Sequence, residues 1–253
     1  MTGKVYLVGS GPGGTGLLTQ RAAEIIHTAD VIFYDQLPGE EILSSLPKKA
    51  EKIDCGKYGG THTLEQHEIE SLMVDRAQKD LTVVRLKGGD PFLFGRGGEE
   101  IETLRAAGID VGMVPGVTSA LAVPASVGIP VTHRKYASQV TILTGHEDPT
   151  KTRPALDWKL LAQGRGTIVI LMGVANLKNI ARALIANGKS KKTPVAVIER
   201  GLRKDRRVTT GPLATIGDMA AQAGVKPPAV IVIGDVVRLY DPTRADLIPY
   251  EGE

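Results

Sequence analysis

Short apolar runs rich in β-branched or aromatic residues recur through the first half of the chain, at Val5–Val8, Val31–Tyr34 and Leu81–Leu86, with Glu51–Asp54 a weaker instance. Between them, apolar positions repeat at helical spacing over Leu17–Ala29, a short stretch near Glu40–Ser45, and Leu64–Gln78. Glu99–Ala107 is a further predicted helix, and Gly108 is its stop. Such alternation predicts a mostly parallel sheet covered on both faces, with ligands bound beyond the carboxyl ends of its strands. Val114-Pro115-Gly116 then punctuates the chain, because a Pro-Gly pair breaks regular structure strongly. It divides the sequence into an N-terminal α/β domain, residues 1–115, and a C-terminal α/β domain, residues 116–253. In the second half a short helical segment, Val117–Ser126, precedes Gly128-Ile129-Pro130. Strands are predicted at Val140–Thr144, Thr167–Met172, Val195–Glu199, Arg207–Thr210 and Val230–Gly234, and helices at Leu156–Ala162, Leu177–Ala186 and Leu213–Ala223. The predicted fold class is α/β, with two α/β domains around a ligand cleft.

Two of the predicted strands run into glycine loops, Val8-Gly9-Ser10-Gly11-Pro12-Gly13-Gly14 and Lys87-Gly88-Gly89-Asp90-Pro91-Phe92-Leu93-Phe94-Gly95-Arg96-Gly97-Gly98. Glycine has no Cβ, so a ligand can approach such a loop closely. Gly9, Gly11 and Gly14 fit the spacing of a dinucleotide-binding loop, and Asp35 closes the next strand where that fold places its ribose-binding acid. Pro12 argues against it. A pyrophosphate cradle aims backbone N–H groups at the anion, and proline has none. The loop better suits a nucleoside-like ligand without phosphates; a tight strand-to-helix turn with no ligand is the alternative. Asp90, between Gly89 and Pro91, either caps its own turn or accepts hydrogen bonds from ribose hydroxyls or an amino group. Asp35 admits the same two readings. Lys57 is either solvated or a proton donor or carboxylate contact.

Composition narrows the class. With 253 residues and 42% of them hydrophobic, the chain can bury a sizeable core. A net charge of +3 and only 4% aromatic residues speak against a nucleic-acid surface. The lone Cys55 allows no disulfide framework, and no Cys/His cluster has metal-ligand spacing, so no metal is expected. No run approaches the length of a membrane span and no leader is evident, so a cytoplasmic protein without a membrane partner is expected. His62 and His67, five apart, do not share a helical face, and solvated or capping roles suit them better than metal binding. Asn187-Gly188-Lys189-Ser190 ends like a phosphate-binding loop, but Ala183 stands where the upstream glycine is required. The basic clusters His133-Arg134-Lys135 and Arg203-Lys204-Asp205-Arg206-Arg207 are either solvated faces or carboxylate contacts, for which the arginine fork is suited.

The stretch Val83–Glu100, with Lys87-Gly88-Gly89-Asp90-Pro91 at its centre and Gly95-Arg96-Gly97-Gly98 after it, resembles the signature of the uroporphyrinogen-III-methylating branch of the tetrapyrrole methylase family. Val8–Gly13 is similar to the family's N-terminal loop, and Val114–Ala120 to its domain junction. Gly128–Arg134, Thr144-Gly145-His146 and Leu171-Met172-Gly173 match as well, so the resemblance covers nearly the whole chain. It implies S-adenosylmethionine as methyl donor and uroporphyrinogen III as acceptor, methylated twice to precorrin-2 by way of precorrin-1, in sirohaem- and cobalamin-type tetrapyrrole synthesis. It implies that Pro12, Gly88, Gly89, Asp90, Leu93, Thr118, Ser119, Met172 and Gly201 line the donor site. Asp35 would be the proton acceptor and Lys57 the proton donor, and the chain would pair as a homodimer. Arg96, His133 and Arg134 are the candidates for binding substrate.

Two positions depart from the family pattern: Gln36 and Tyr58 stand where arginines are common, which removes two candidate carboxylate contacts. The chemistry agrees with the resemblance, since methyl transfer to an electron-rich pyrrole carbon relies on alignment and needs no protein nucleophile. A nicotinamide-dependent oxidoreductase is the rival enzyme class. A nucleoside-binding module without catalysis is the rival outside enzymology.

Overall fold

The chain runs β1 (Lys4–Gly9), α1 (Gln20–Thr28), β2 (Val31–Tyr34), α2 (Glu40–Ser45), β3 (Glu51–Asp54), the two-residue strands β4 (Lys57–Tyr58) and β5 (Thr61–His62), α3 (Gln66–Gln78), β6 (Val83–Lys87), α4 (Gly97–Ala106) and β7 (Asp110–Val114). It continues through α5 (Ser119–Ser126), β8 (Val140–Thr144), α6 (Trp158–Gln163), β9 (Thr167–Leu171), α7 (Leu177–Ala186), β10 (Pro194–Glu199), β11 (Arg207–Pro212), α8 (Ile216–Gln222) and β12 (Ala229–Ile233). This computed structural model describes residues 3–58, 61–62, 64–146 and 156–243, with the side chains of 57, 58, 61 and 62 outside the description. Two units separate by their internal packing, Met1–Thr118 and Ser119–Glu253.

The first unit holds one sheet in the order β3-β2-β6-β1-β7, every pair parallel. Its strands alternate their apolar side chains between two cores, as the pleat requires. Val8, Ile32, Val84 and Leu86 face Ala22, Ile25 and Ile26 of α1 and Ile42 of α2. Val5, Leu7, Phe33 and Val83 face Ile69 and Met73 of α3 and Leu104 of α4. Leu7, Ile32, Phe33, Ile42, Met73, Leu86 and Leu104 are fully buried, and each such side chain contributes about 1.5–3 kcal/mol. Thr19 starts α1 by accepting from the Ala22 N–H at 3.1 Å. Gly108 ends α4 with a left-handed φ of +75°, as the sequence predicts.

Strand β7 has no counterpart in the sequence reading, which stops a helix at Gly108 and resumes at Val114. Its pattern is faint because it is an edge strand: Asp110 and Met113 are exposed, and Gly112 leaves room for the Tyr6 ring. Helix α1 starts at Gln20, three residues later than predicted, because a 3-10 turn occupies Thr15–Leu17.

The second unit holds a mixed sheet, β11-β10-β12-β9-β8, in which only β8 and β9 run parallel. Its antiparallel character was not legible, because helices lie between most of its strands in sequence and suggest crossovers. Helices α6, α7 and α8 cover one face through Ala162, Leu177, Ile180, Leu184, Ile216 and Ala220. Helix α5 packs against β12 and β9.

Candidate functional site

In the first unit the two glycine loops close on each other at the carboxyl ends of β1 and β6. The Gly11 N–H donates to the Gly89 carbonyl at 3.1 Å, the Gly89 N–H donates back to Gly11 at 2.8 Å, and the Ser10 N–H donates to Lys87 at 2.8 Å. Gly11 and Gly89 adopt left-handed φ of +71° and +68°, which glycine takes without strain. A third loop joins them after β7. A Cβ on Gly116 would fall 2.1 Å from the Gly89 carbonyl oxygen, and one on Gly9 would fall 2.5 Å from the Gly116 nitrogen. At Gly9 and Gly116, then, the missing Cβ lets loop meet loop, where the sequence had suggested an open approach for ligand. Gly88 serves a similar end, because its Cβ would lie 2.2 Å from that of Leu37 in the β2–α2 loop.

Asp90 ties this arrangement together. Its Oδ1 accepts from the N–H groups of Phe92 at 2.9 Å and Leu93 at 3.2 Å, and its Oδ2 accepts from the Gly116 N–H at 3.1 Å. Of the two readings open for Asp90, the structure displays the turn-capping one, extended to a second loop. Pro12, Gly88, Gly89, Asp90, Leu93 and Thr118 are all half-buried. All but Thr118 lie in the joined loops, and Thr118 follows the Gly116 loop.

The same bonds bear on the choice between a dinucleotide and a phosphate-free nucleoside. A pyrophosphate needs unpaired backbone N–H groups at the start of a helix. Here the N–H groups of Ser10, Gly11 and Gly89 are already paired and Pro12 has none, while a 3-10 turn, not α1, follows Gly14 directly. The joined loops therefore offer few of their N–H groups to a pyrophosphate, in line with a ligand without phosphates.

Asp35 directly follows β2, half-buried, with its Oδ1 accepting from the Leu37 N–H at 2.9 Å. Lys57 opens β4 opposite His62, and its side chain lies outside the described residues. Gln36 is exposed, and Tyr58 shares the limit on Lys57. Cys55 is buried, and burial pushes its thiol up to about 11, so it is a protonated core group.

A charged cluster that sequence reasoning missed lies beside them. Lys87 Nζ donates to both oxygens of Glu100, at 2.9 and 3.0 Å, and Arg85 Nε donates to Oε1 at 3.3 Å. Gln66 Nε2 donates to the same oxygen at 3.2 Å. Glu100, Arg85 and Lys87 are 0%, 4% and 6% exposed, so this is a buried triad with two cations to one anion. Burial, and next the Arg85 charge, hold the Lys87 ammonium below the usual lysine range. The available signal was an arginine and a lysine alternating within the central, otherwise apolar run Val83–Lys87.

Arg96 is exposed and bonded to Glu99 through Nε at 3.0 Å and Nη2 at 2.6 Å. It starts α4 with φ +58°, and Phe94 nearby has φ +56°. Non-glycine residues rarely hold such conformations, and strain of this kind gathers at functional sites. In the second unit Met172, Arg200 and Leu202 share it, at φ +55°, +49° and +66°. Met172 follows β9 and is 54% exposed. Gly201 lies between the two strained residues after β10 and fits against Val123 of α5, whose Cγ1 a Cβ there would approach to 2.3 Å. Ser119 opens that same helix. Gly145 and Gly173 also touch, a Cβ on Gly145 falling 2.2 Å from the Gly173 Cα. The motif segments of this unit thus gather where β8, β9 and β10 end.

His133 and Arg134 do not join them. They form a tight turn, with the His133 N–H donating to Ala137 and the Ala137 N–H donating back, each at 2.9 Å. Arg134, Lys135 and Arg165 line a shallow depression of about 410 Å³ together with Gln139 and Gly166, which precede β8 and β9. The length of β9 therefore separates Arg134 from Met172. Arg207, in the other basic cluster, is a structural residue, paired with buried Glu199 and capping the carbonyl of Ala223 at 3.1 Å. Asn187 closes α7 through its own amide, which donates to the Ala183 carbonyl at 2.8 Å. Among the described residues no group of three His, Cys, Asp or Glu converges as a metal set, and no helix is long and apolar enough to cross a membrane.

Comparison with known proteins follows the same lines. Residues 4–217 match the family described as Tetrapyrrole (Corrin/Porphyrin) Methylases. The S-adenosyl-L-methionine-dependent uroporphyrinogen III methyltransferase of Methanosarcina barkeri is 59% identical over 239 residues, which is 94% of each chain. Siroheme synthase 1 of Cronobacter sakazakii is 47% identical over 94% of this chain, which spans about half of that longer protein, 50%. The crystal structure of uroporphyrin-III C-methyl transferase from Thermus thermophilus, complexed with S-adenyl homocysteine, is 38% identical with a TM-score of 0.81, covering 94% of this chain and 100% of that one.

Proposed function

This chain belongs to the tetrapyrrole methylase family, and from that membership we propose that it is a C-methyltransferase converting uroporphyrinogen III to precorrin-2 through precorrin-1, in sirohaem- and cobalamin-type synthesis. S-adenosylmethionine, when bound, supplies an electrophilic methyl group. The observation that carries the reading is the joined pair of glycine loops, whose own hydrogen bonds take up the N–H groups of Ser10, Gly11 and Gly89 and which Asp90 clasps to the loop after β7.

Pro12, Gly88, Gly89, Asp90, Leu93 and Thr118 of the first unit, with Ser119, Met172 and Gly201 of the second, bind the donor. Asp90 does so by holding the shape of its loops. Asp35 takes up the proton that the cationic macrocycle sheds after methyl transfer, and Lys57 is the proton donor that helps shift the remaining protons between ring positions with no net gain. Arg96 exchanges Glu99 for a substrate carboxylate, which the arginine fork receives in two parallel bonds. His133 and Arg134 hold carboxylates further out. The protein acts in the cytoplasm as a homodimer; light scattering should return about twice the 26.9 kDa chain mass, and a stable monomer at micromolar concentration would contradict the pairing.

Anaerobic incubation with uroporphyrinogen III and S-adenosylmethionine, read by mass spectrometry, tests the activity. Two successive increments of one methyl each are expected, the singly methylated species transient. A folded, donor-binding preparation that yields no methylated product refutes it.

A further inference from the structure

Lys87 ends β6 and Gly97 begins α4, so residues 88–96 form one loop, which holds Gly88, Gly89, Asp90 and Leu93. The two ends of this loop are tied together in the interior. Lys87 Nζ donates to Glu100, in the first turn of α4, at 2.9 Å to Oε1 and 3.0 Å to Oε2. The Lys87 carbonyl in turn accepts from the Ser10 N–H at 2.8 Å. One residue thus holds the first glycine loop with its main chain and α4 with its side chain. At 6% and 0% exposure, Lys87 and Glu100 lie too deep to touch a ligand themselves.

The two cations of the buried triad are not equivalent. Arg85 Nε meets only Oε1 of Glu100, at 3.3 Å, from within β6, and joins strand to helix without reaching the loop. Lys87 takes both oxygens and directly precedes Gly88. With two cations to one carboxylate, loss of either cation leaves a balanced pair, whereas loss of Glu100 would strand two buried charges. Burial and then the Arg85 charge work against the Lys87 ammonium, so removing Arg85 leaves the Lys87–Glu100 pair no weaker.

We propose that the Lys87–Glu100 ion pair positions the donor loop: by fixing the end of β6 against the start of α4, it holds Gly88, Gly89 and Asp90 in the arrangement that receives S-adenosylmethionine. Both are positioning residues, which act on the donor through the loop. Their role rests on the reading of that loop as the donor site, and deepens it.

The test compares K87M with R85M in the intact protein. Each removes one buried cation from the same strand and leaves a one-to-one pair, but only K87M unties the loop. Calorimetry with S-adenosylmethionine should show the K87M dissociation constant raised about tenfold or more, the worth of one charge-assisted hydrogen bond. That of R85M should stay near the unaltered value. KM for the donor should rise in K87M while kcat at saturating donor holds, because neither residue touches the reacting atoms. Backbone hydrogen exchange gives a readout that needs no donor: K87M should lose protection at the Ser10 and Gly89 amides, and R85M should keep it. A folded K87M with unchanged exchange and unchanged donor affinity overturns the proposal. An equal loss of affinity in K87M and R85M also overturns it, as the mark of a merely structural triad. Exchange loosened in K87M with donor affinity intact leaves the tie standing and refutes the loop as the donor site. K87Q serves if K87M does not fold. If neither folds, native-state exchange in urea on the unaltered protein decides: the Ser10 and Gly89 amides should open together with those of β6, and their opening at lower urea overturns the proposal.

Discussion

Gly116 donates its backbone N–H to Asp90 Oδ2 at 3.1 Å, and this bond joins the loop after β7 to the loop after β6. The same carboxylate closes its own turn through Phe92 and Leu93. One side chain thereby sets the relation between two loops that carry proposed donor contacts.

Asp90→Ala should weaken S-adenosylmethionine binding and also lower the melting temperature of the ligand-free protein. Hydrogen bonds to a charged group are worth about 1.5–3 kcal/mol each, and about 2–4 °C is lost per kcal/mol in a chain of this size. Calorimetry with the donor and thermal unfolding without it read the two effects. Weakened binding with an unchanged melting temperature would make Asp90 a direct ligand and not a clasp.

Asp35→Ala should leave donor affinity nearly unchanged and slow turnover by about 10²–10⁴-fold, the usual contribution of a positioned general base. Steady-state rates beside calorimetry separate the two. A loss of donor binding as large as that of Asp90→Ala would make Asp35 a ribose ligand.

Gly116→Ala and Gly98→Ala should differ in sign. At Gly116 the new methyl meets the Gly89 carbonyl at 2.1 Å and the Gly9 Cα at 2.8 Å, backbone that cannot turn aside. The cost should lie at or above the upper end of the roughly 1–3 kcal/mol typical of overpacking. At Gly98, in the first turn of α4, nothing lies within 4 Å, and alanine should stabilise by up to about 1 kcal/mol. Urea unfolding of both variants reads the difference.

Cys55 should resist thiol reagents in the native protein at pH 8 and react once the chain unfolds, because the thiolate forms only near the raised pKa of about 11. The unfolded thiol ionises near 9.0, so the stability gained by keeping the proton is present below that pH. It is lost as pH rises from there toward about 11. Rapid labelling of the folded protein at pH 8 would contradict this, as would stability that rises across that alkaline window.

The central strands and both glycine loops were legible because their signals are local: β2 begins and ends where its apolar run Val31–Tyr34 does, and the loops declare themselves by composition. Edge strand β7 was not, since an exposed edge bearing Asp110, Gly112 and Met113 has no alternation to betray it. Asp90 could be narrowed to two readings but not resolved, because its partner Gly116 is 26 residues away. The Arg85–Glu100–Lys87 triad was hidden for a similar reason. Charged residues in a strand look solvated until the helix that covers them is in place, and Glu100 lies 13 residues beyond Lys87.

The paired N–H groups of Gly11 and Gly89 bear on how this protein could change its ligand. Pro12→Gly would restore a missing N–H, yet Gly11 and Gly89 would still hold each other's carbonyls. That pairing is written in main chain, which no exchange of one side chain rewrites. Freeing the Gly11 and Gly89 N–H groups for any ligand would require the two loops to separate together. The set of main-chain donors open to a ligand is thus inherited with the loop topology and insulated from point substitution, while the residues around it remain free to diversify.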